Sequence, residues 1–314
     1  MNAMTEIPMR EHANAAGRLD RNPELSILIP FYNDDPRPLI NALDRLAMRA
    51  DDLEIVLYDD GEPDPALNQA ICTHIDRLDL PVRVLTSVRN RGRAAGRNLL
   101  ARRAQADWLL YLDADMIPSD DAFLDRYRQA LGDGRADALF GGYITADADR
   151  PEQVLHAALS RTSDHHDAAA RNAIGATAFC SSNVLVRATV MRACPFDEGF
   201  SGWGWEDVDW AVTAADQFRL VHIDNPARHG GLHATDELLA KFKTGAANFR
   251  RLLDRHPELS ALPGARAARA LKAMPGQHWL RGLWSWLSRN PALPLRLRTV
   301  AIKLWRASWT SEVL

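Results

Sequence analysis

The stretch Trp108-Leu109-Leu110-Tyr111-Leu112-Asp113-Ala114-Asp115 decides how this chain of 314 residues folds. Its first five residues are an apolar run of strand length without strong alternation, as expected of a strand covered on both faces. Two carboxylates follow at once. Leu25-Ser26-Ile27-Leu28-Ile29-Pro30 is a similar run closed by proline, residues 53–58 form another that ends in Asp59-Asp60-Gly61, and residues 82–85 form a third. Helical patterns lie between them. Leu39, Ile40, Leu43, Leu46 and Ala47 recur at helical spacing, as do Leu67, Ala70, Ile71, Ile75 and Leu78. Residues 92–104 and 120–131 are two more helices, the second with Phe123, Leu124 and Tyr127 inward. This alternation predicts an α/β fold with a parallel sheet and right-handed crossovers. Ligands on such a sheet bind at the carboxyl ends of its strands, where the acids stand.

The regularity weakens after residue 138. Residues 138–144 are expected as one strand and 179–186 as another. The polar stretch 160–177 reads as a long loop, with His165 and His166 solvated. A Gly/Trp/acid cluster at 199–209 opens a helix through Phe218, and beyond Pro257 the composition shifts to Ala, Leu, Arg and Trp, a helical appendage. The expected organisation is a flexible tail over 1–23, a domain over 24–255 and a helical C-terminal extension over 256–314.

Composition narrows the function. A formal net charge of −3 lacks the basic excess of a general nucleic-acid binder. Cys72, Cys180 and Cys194 are odd in number and without metal-site spacing, and are expected as buried thiols in a reducing compartment. The polar first twenty residues do not read as a signal peptide, and no stretch reaches the ~18 apolar residues of a spanning helix, so the expected location is cytoplasmic.

Three constellations carry chemistry. Asp-x-Asp recurs at 147–149 and 207–209, so what sets Asp113 and Asp115 apart is their place after a buried strand. Two such carboxylates repel unless a cation lies by them, and hard divalent ions take oxygen ligands and complete their shell with substrate phosphates. The same acids also read as a capped helix start, with Asp120 and Asp121 nearby. Asp59-Asp60-Gly61 places a carboxylate where a nucleobase N–H could donate to it, and equally reads as a plain turn. In Gly202-Trp203-Gly204-Trp205-Glu206-Asp207-Val208-Asp209 the glycines allow close backbone approach, an indole offers a platform for a sugar ring, and acids at a helix N-terminus are favoured in their charged form. A carboxylate there could act as general base. The other reading is an acid-capped helix with two core tryptophans.

Taken in order, Ser26-Ile27-Leu28-Ile29-Pro30-Phe31-Tyr32-Asn33, Asp59-Asp60-Gly61, Asn90-Arg91-Gly92 with Arg97-Asn98, and Asp113-Ala114-Asp115 resemble a family 2 inverting glycosyltransferase of the GT-A fold. Phe196-Asp197-Glu198-Gly199-Phe200 through Glu206-Asp207 is similar to a segment of β-1,4-galactosyltransferases and chondroitin-type polymerases. The resemblance covers roughly 24–255. It implies a mostly parallel sheet flanked by helices, a nucleotide-sugar donor, UDP-linked by preference, and a divalent metal, Mn²⁺ or Mg²⁺. It implies that Pro30, Tyr32 and Asp60 line the nucleoside pocket, and that Arg97 braces the Asp-x-Asp edge or meets the diphosphate. Asp115 would ligate the metal, and Asp113 would hold the ribose or the metal through water. Trp203 would stack on sugar, Glu206 would bind acceptor hydroxyls and Asp207 would be the base. A late histidine, His229 or His233, would join the metal, with His229 preferred. Met116 departs from the pattern, since many relatives carry a further acid there.

Rival readings fit less well. A nucleotidyltransferase would need a basic Gly-rich loop after the first strand, which Phe31-Tyr32-Asn33-Asp34-Asp35 is not, and a dinucleotide oxidoreductase would need Gly-x-Gly-x-x-Gly after Ile29. An inactive sugar-nucleotide-binding or assembly module would have no need of intact Glu206-Asp207 and Asp113/Asp115 sets. In the C-terminal extension, Trp279, Leu283, Trp284 and Trp286 stand among Arg296, Arg298, Lys303 and Arg306. Such a pattern over 279–306 can dock on the core, form a homodimer, or lie on the inner membrane near a lipid-linked glycan acceptor.

Overall fold

The computed structural model describes residues 9–19, 22–47, 52–132, 134, 136–163 and 165–314. The elements run β1 (Met9–Ala13), β2 (Leu25–Phe31), α1 (Arg37–Leu46), β3 (Leu53–Asp59), α2 (Pro65–Ile75), β4 (Val82–Ser87), α3 (Arg93–Arg103), β5 (Trp108–Leu112), β6 (Met116–Pro118) and α4 (Phe123–Gly132). Then follow β7 (Ala138–Phe140), β8 (Tyr143–Thr145), α5 (Val154–Ser163), α6 (Ala168–Ile174), β9 (Asn183–Arg187), α7 (Ala188–Ala193), α8 (Glu206–Ala215), β10 (Leu220–His222) and β11 (Ala227–His229). The chain closes with α9 (Thr235–Arg255), α10 (Pro263–Lys272), α11 (Arg281–Arg289) and α12 (Leu295–Val313).

Two compact units result. The first comprises the chain up to Tyr143 with Asp167–Glu198 and Trp210–Arg228. The second comprises Ile144–His166, Gly199–Asp209 and His229–Leu314, so α9 shares a unit with the helices after residue 256.

The first unit is built on one sheet of order β1-β4-β3-β2-β5-β9-β7-β10. Strands β4, β3, β2 and β5 are mutually parallel, while β9 runs antiparallel to both β5 and β7. Helices cover both faces, which is why the strands read as unbroken apolar runs. Ile27, Ile29, Ile55 and Leu57 pack with Leu39 and Leu43 of α1, Ile71 of α2 and Phe123 of α4. Leu28, Val56, Tyr58 and Leu109 face the other way, with Leu100 of α3, Val190 of α7 and Trp210 of α8. From β2 the sheet grows through β3 and β4 on one side and through β5 on the other. Such a reversal opens a crevice at the carboxyl ends of the two central strands.

Five expectations change. The tail expected over 1–23 is structured from Met9: β1 pairs antiparallel with β4 from Met9↔Ser87 to Ala13↔Arg83. Its residues 1–8, 20 and 21 lie outside the described residues. Stretch 160–177 is not a long loop, because α5 ends within it and α6 follows, with Asp167 accepting from Ala170 N at 2.8 Å as a helix cap. The strand expected over 138–144 is two, β7 and β8, split at Gly141-Gly142, where Gly142 has φ +81°. The strand expected over 179–186 begins only at Asn183, after a 3-10 turn at Ala176–Ala178. Among the cysteines only Cys194 is buried; Cys72 and Cys180 are half-buried.

The second unit is helical. Leu155 of α5, Leu238 and Leu239 of α9 and Ile302 of α12 form one cluster. Leu271, Trp284, Ala301 and Ala307 join α10, α11 and α12 in another. No helix among the described residues is long and apolar enough to cross a membrane.

Candidate active site

In the first unit the crevice between β2 and β5 gathers the expected donor-side residues. The parallel register sets Pro30 opposite Tyr58 and Phe31 opposite Asp59, so Tyr32 and Asp60 leave adjacent strands side by side. Asp60 N donates to Phe31 O at 3.1 Å, which ties the two exits together. Tyr32 is 40% exposed and Asp60 is 7% exposed. The Asp60 carboxylate accepts from Arg91 N at 2.7 Å and Gly92 N at 2.9 Å, and the Tyr58 hydroxyl donates to Oδ1 at 3.1 Å. Asp60 therefore shapes the Asn90-Arg91-Gly92 turn. Gly61, at φ +75°, is required there, because a Cβ would lie 2.4 Å from the carbonyl carbon of Arg89. Burial pushes the Asp60 carboxyl upward, and the two backbone N–H groups oppose it. Burial likewise raises Asp59, which Glu62 N and Asn68 Nδ2 hold at 2.7 and 2.5 Å. It also lifts the Tyr58 phenol to about 12.

Arg97, on α3, is 2% exposed and donates from Nη2 to Asp113 Oδ1 at 2.8 Å. The Tyr111 hydroxyl donates to its carbonyl at 3.0 Å, and its guanidinium lies 5.8 Å from the centre of the Phe196 ring. The Arg97 guanidinium thus braces Asp113 at the end of β5. Asp113 and Asp115 are both half-buried at the end of β5. Asp113 N donates to Ser182 O at 3.2 Å, and Met116 N closes a turn on Asp113 O at 2.9 Å. Asn98, beside Arg97, accepts from Phe196 N at 2.9 Å and donates to Phe196 O at 2.9 Å and Glu198 Oε1 at 3.0 Å. That fixes the Phe196-Asp197-Glu198 segment within this unit.

The acceptor-side residues belong to the second unit. The loop from Gly199 to the start of α8 has left-handed φ at Gly202, Gly204 and Trp205, +76°, +86° and +79°. Asn248 of α9 staples it: Nδ2 donates to Ser201 O at 2.9 Å and Gly204 O at 3.0 Å, and Oδ1 accepts from Ser201 N at 3.3 Å. Trp203 meets Phe242 edge-on at 5.7 Å, and Trp205 lies 4.5 Å from Phe249 with Arg306 5.0 Å from its ring centre. Both indoles stay half-buried. Glu206 is buried and Asp207 half-buried in the first turn of α8. Asp207 Oδ1 accepts from Val208 N at 2.9 Å.

The sequence reading missed Asp209. It is 1% exposed and binds Arg255 Nε at 2.6 Å and His256 Nε2 at 3.0 Å, anchoring the start of α8 to the end of α9. It also missed Asn248, although a lone amide between Gly245 and Leu252 on the buried stripe of α9 is a legible sign of a backbone staple.

The two histidine candidates differ. His233 has Lys241 Nζ at Nε2 and Glu237 Oε2 3.3 Å from Nδ1, and burial, with Lys241 next, lowers its basicity. Both ring nitrogens are thus engaged, which tells against His233 as a metal ligand. His229 lies with its ring 6.1 Å from that of His156, which is stacked on His233 at 5.2 Å. His165 is not solvated as expected: it is half-buried and Nε2 accepts from Thr145 N at 2.8 Å. No three His, Cys, Asp or Glu side chains cluster to hold an ion among the described residues.

Comparison with known proteins places this geometry. The family model described as "Glycosyl transferase family 2" matches residues 26–192. An uncharacterized glycosyltransferase of Haemophilus influenzae is 31% identical over 99 residues, 32% of this chain and 39% of that protein. Validoxylamine A glucosyltransferase of Streptomyces hygroscopicus subsp. limoneus is 27% identical over 227 residues, 62% of this chain and 48% of that protein. The matches thus span less than half of these relatives. Among solved structures, a mannosyltransferase from Pyrobaculum calidifontis in complex with GDP-Man and Mn²⁺ has a TM-score of 0.57 at 17% identity, covering 95% of this chain and 89% of that one. S. aureus TarS 1–349 in complex with UDP-GlcNAc gives 0.53 at 14% identity, covering 92% and 90%. At these identities the likeness is one of fold.

Proposed function

The chain belongs to glycosyl transferase family 2 and has the GT-A fold, and from that premise we propose that it moves a hexose or N-acetylhexosamine from a UDP-sugar to a glycan or lipid-linked acceptor. The setting would be synthesis of a polysaccharide or cell-surface glycan on the cytoplasmic side of the inner membrane. The observation that carries the proposal is the buried Arg97 holding Asp113 at 2.8 Å, with Asp115 two residues on, at the ligand edge of a parallel sheet. Carboxylates at such an edge are the oxygen ligands that a hard divalent ion takes. The nucleotide-sugar complexes of the Pyrobaculum and TarS proteins support a donor of this class. The similarity of residues 202–207 to galactosyltransferase-type enzymes favours UDP.

Two carboxylates at the end of β5 are of the oxygen type that a hard divalent cation takes. Carboxylate oxygens of Asp115, and of Asp113 directly or through water, would hold Mn²⁺ or Mg²⁺, with His229 preferred to His233 as the imidazole ligand. Such an ion, when bound, neutralises charge on the departing diphosphate. The chain's own residues do the rest. Pro30, Tyr32 and Asp60 receive the nucleoside. Trp203 offers its indole to a sugar ring, and Glu206 binds acceptor hydroxyls. Asp207 accepts the proton of the acceptor hydroxyl as its oxygen bonds to the anomeric carbon. The bond from that carbon to the diphosphate breaks with its electron pair leaving on the diphosphate, and the configuration inverts.

A panel of nucleotide sugars, with release of nucleoside diphosphate as the readout, tests this in Mn²⁺, in Mg²⁺ and in EDTA. Transfer is expected only with metal, and Asp207→Asn is expected to lower it by about 100-fold or more, the usual worth of a general base. Full turnover in EDTA would remove the metal from the mechanism, and wild-type turnover in Asp207→Asn would remove the base.

A further inference from the structure

In the C-terminal helices several large apolar residues stay exposed beside those that build the unit's own core. α11 buries Trp284, Ser285 and Ser288. It turns Leu283 and Trp286 outward, and Trp279 on the preceding turn is 81% exposed. Leu283 and Trp286 are spaced i, i+3 on one side of α11, and Trp279 stands on the 3-10 turn before it. Leu283 is 50% and Trp286 56% exposed. On α12, which packs against α11, Leu295, Leu297 and Val300 are also exposed. So many large apolar side chains left exposed on neighbouring elements suit a surface that something else covers.

The charge around them says what. From Leu259 to Ser311 there is no Asp or Glu, while nine Arg and Lys residues fall in that span of a chain whose net charge is −3. Arg266, Lys272, Arg296 and Lys303 are exposed and take part in no ion pair among the described residues. A second copy of so basic a face would meet like charge and be repelled. Indoles prefer the headgroup level of a bilayer, and Lys and Arg near an anionic surface each add attraction.

We propose that this face docks the protein on an anionic lipid surface, with Trp279, Leu283 and Trp286 inserted at headgroup depth and Arg296 and Lys303 contacting anionic headgroups. It deepens the proposal of a lipid-linked acceptor, but it rests on the exposed face and not on transfer. Vesicle binding and sugar transfer can therefore fail separately.

Cosedimentation of the full chain with vesicles of phosphatidylcholine, and of phosphatidylcholine with phosphatidylglycerol, tests it without any turnover. Binding is expected to the anionic vesicles and to weaken in high salt. Trp279→Ser with Trp286→Ser, and separately Arg296→Glu with Lys303→Glu, are each expected to weaken it about tenfold or more. All four positions are exposed, so unchanged circular dichroism and melting temperature will mark the variants as folded. Equal partitioning of wild type into both vesicle types, or no binding to either, overturns the proposal. So does a dimer in light scattering that the Trp substitutions dissolve, or retention by an acidic protein column with no vesicle binding.

Discussion

Single buried side chains fix much of this structure by meeting backbone groups that would otherwise have no partner. Asn14, fully buried, donates to the carbonyls of Ile75, Leu78 and Leu80 at 3.1, 3.0 and 2.7 Å and accepts from the N–H of Gly17 and Val82 at 2.8 and 3.1 Å. Asn14→Ala would strand these groups, and a loss of about 3 kcal/mol is expected in urea unfolding, the scale of several unsatisfied buried polar groups partly rehydrated. His222 is a second case. It is 3% exposed, its Nε2 stands 3.1 Å from Gly175 O, and burial lowers it from 6.5 to about 4. The unfolded chain therefore binds a proton near pH 6.5 that the folded chain refuses until about 4. Its contribution to stability is complete above the unfolded value and is lost as pH falls through that window. The difference between wild type and His222→Gln should change by about 3 kcal/mol between pH 7 and pH 4, with the variant the less pH-sensitive of the two. Parallel slopes of unfolding free energy against pH in the two proteins would show that His222 does not carry this dependence.

The elements divide by how their residues announce them. β2, β3 and β5 were legible because burial on both faces leaves no polar residue inside a run such as Leu109-Leu110-Tyr111-Leu112, and their terminal acids mark the ligand edge. α6 was not, since Asp167-Ala168-Ala169-Ala170-Arg171-Asn172 carries no apolar stripe; its cap at Asp167 was the sign available. β1 was hidden for a related reason. Met9-Arg10-Glu11-His12-Ala13 is polar because it lies at a sheet edge, and it is held by backbone pairing to β4 rather than by apolar burial. The acidic ends of the site were readable from the sequence, but what tethers them was not. Asn248 reaches its loop across 44 and 47 residues of chain. Asn248→Ala frees the carbonyls of Ser201 and Gly204 and leaves three left-handed residues without their staple. An expected cost is ~2 kcal/mol, with faster proteolytic cutting between Gly199 and Glu206. Unchanged cutting would mean that the indole contacts alone hold the loop.

For the whole molecule, Glu54 and Asp209 serve the fold, whereas Asp113 and Asp115 are the acids assigned to a bound ion. Glu54 is buried and takes Ser26 Oγ at 2.6 Å, Gln105 N at 2.7 Å and Arg83 Nη2 at 2.8 Å. Asp209 is buried against Arg255 and His256. Each is enclosed and partnered, so each belongs to the fold. Asp113 and Asp115 are half-buried at the open end of a strand, with Arg97 on Asp113, and are the pair proposed to meet a cation. The separation can be measured by melting. Wild type with UDP and Mn²⁺ at about 100-fold above the dissociation constant should gain roughly 2.7 kcal/mol, and Asp115→Ala should lose most of that gain. Asp209→Ala should do the reverse, losing stability without ligand while keeping the ligand-induced gain. If Asp115→Ala kept the full Mn²⁺-dependent shift, the ion would have to be held elsewhere than at the end of β5.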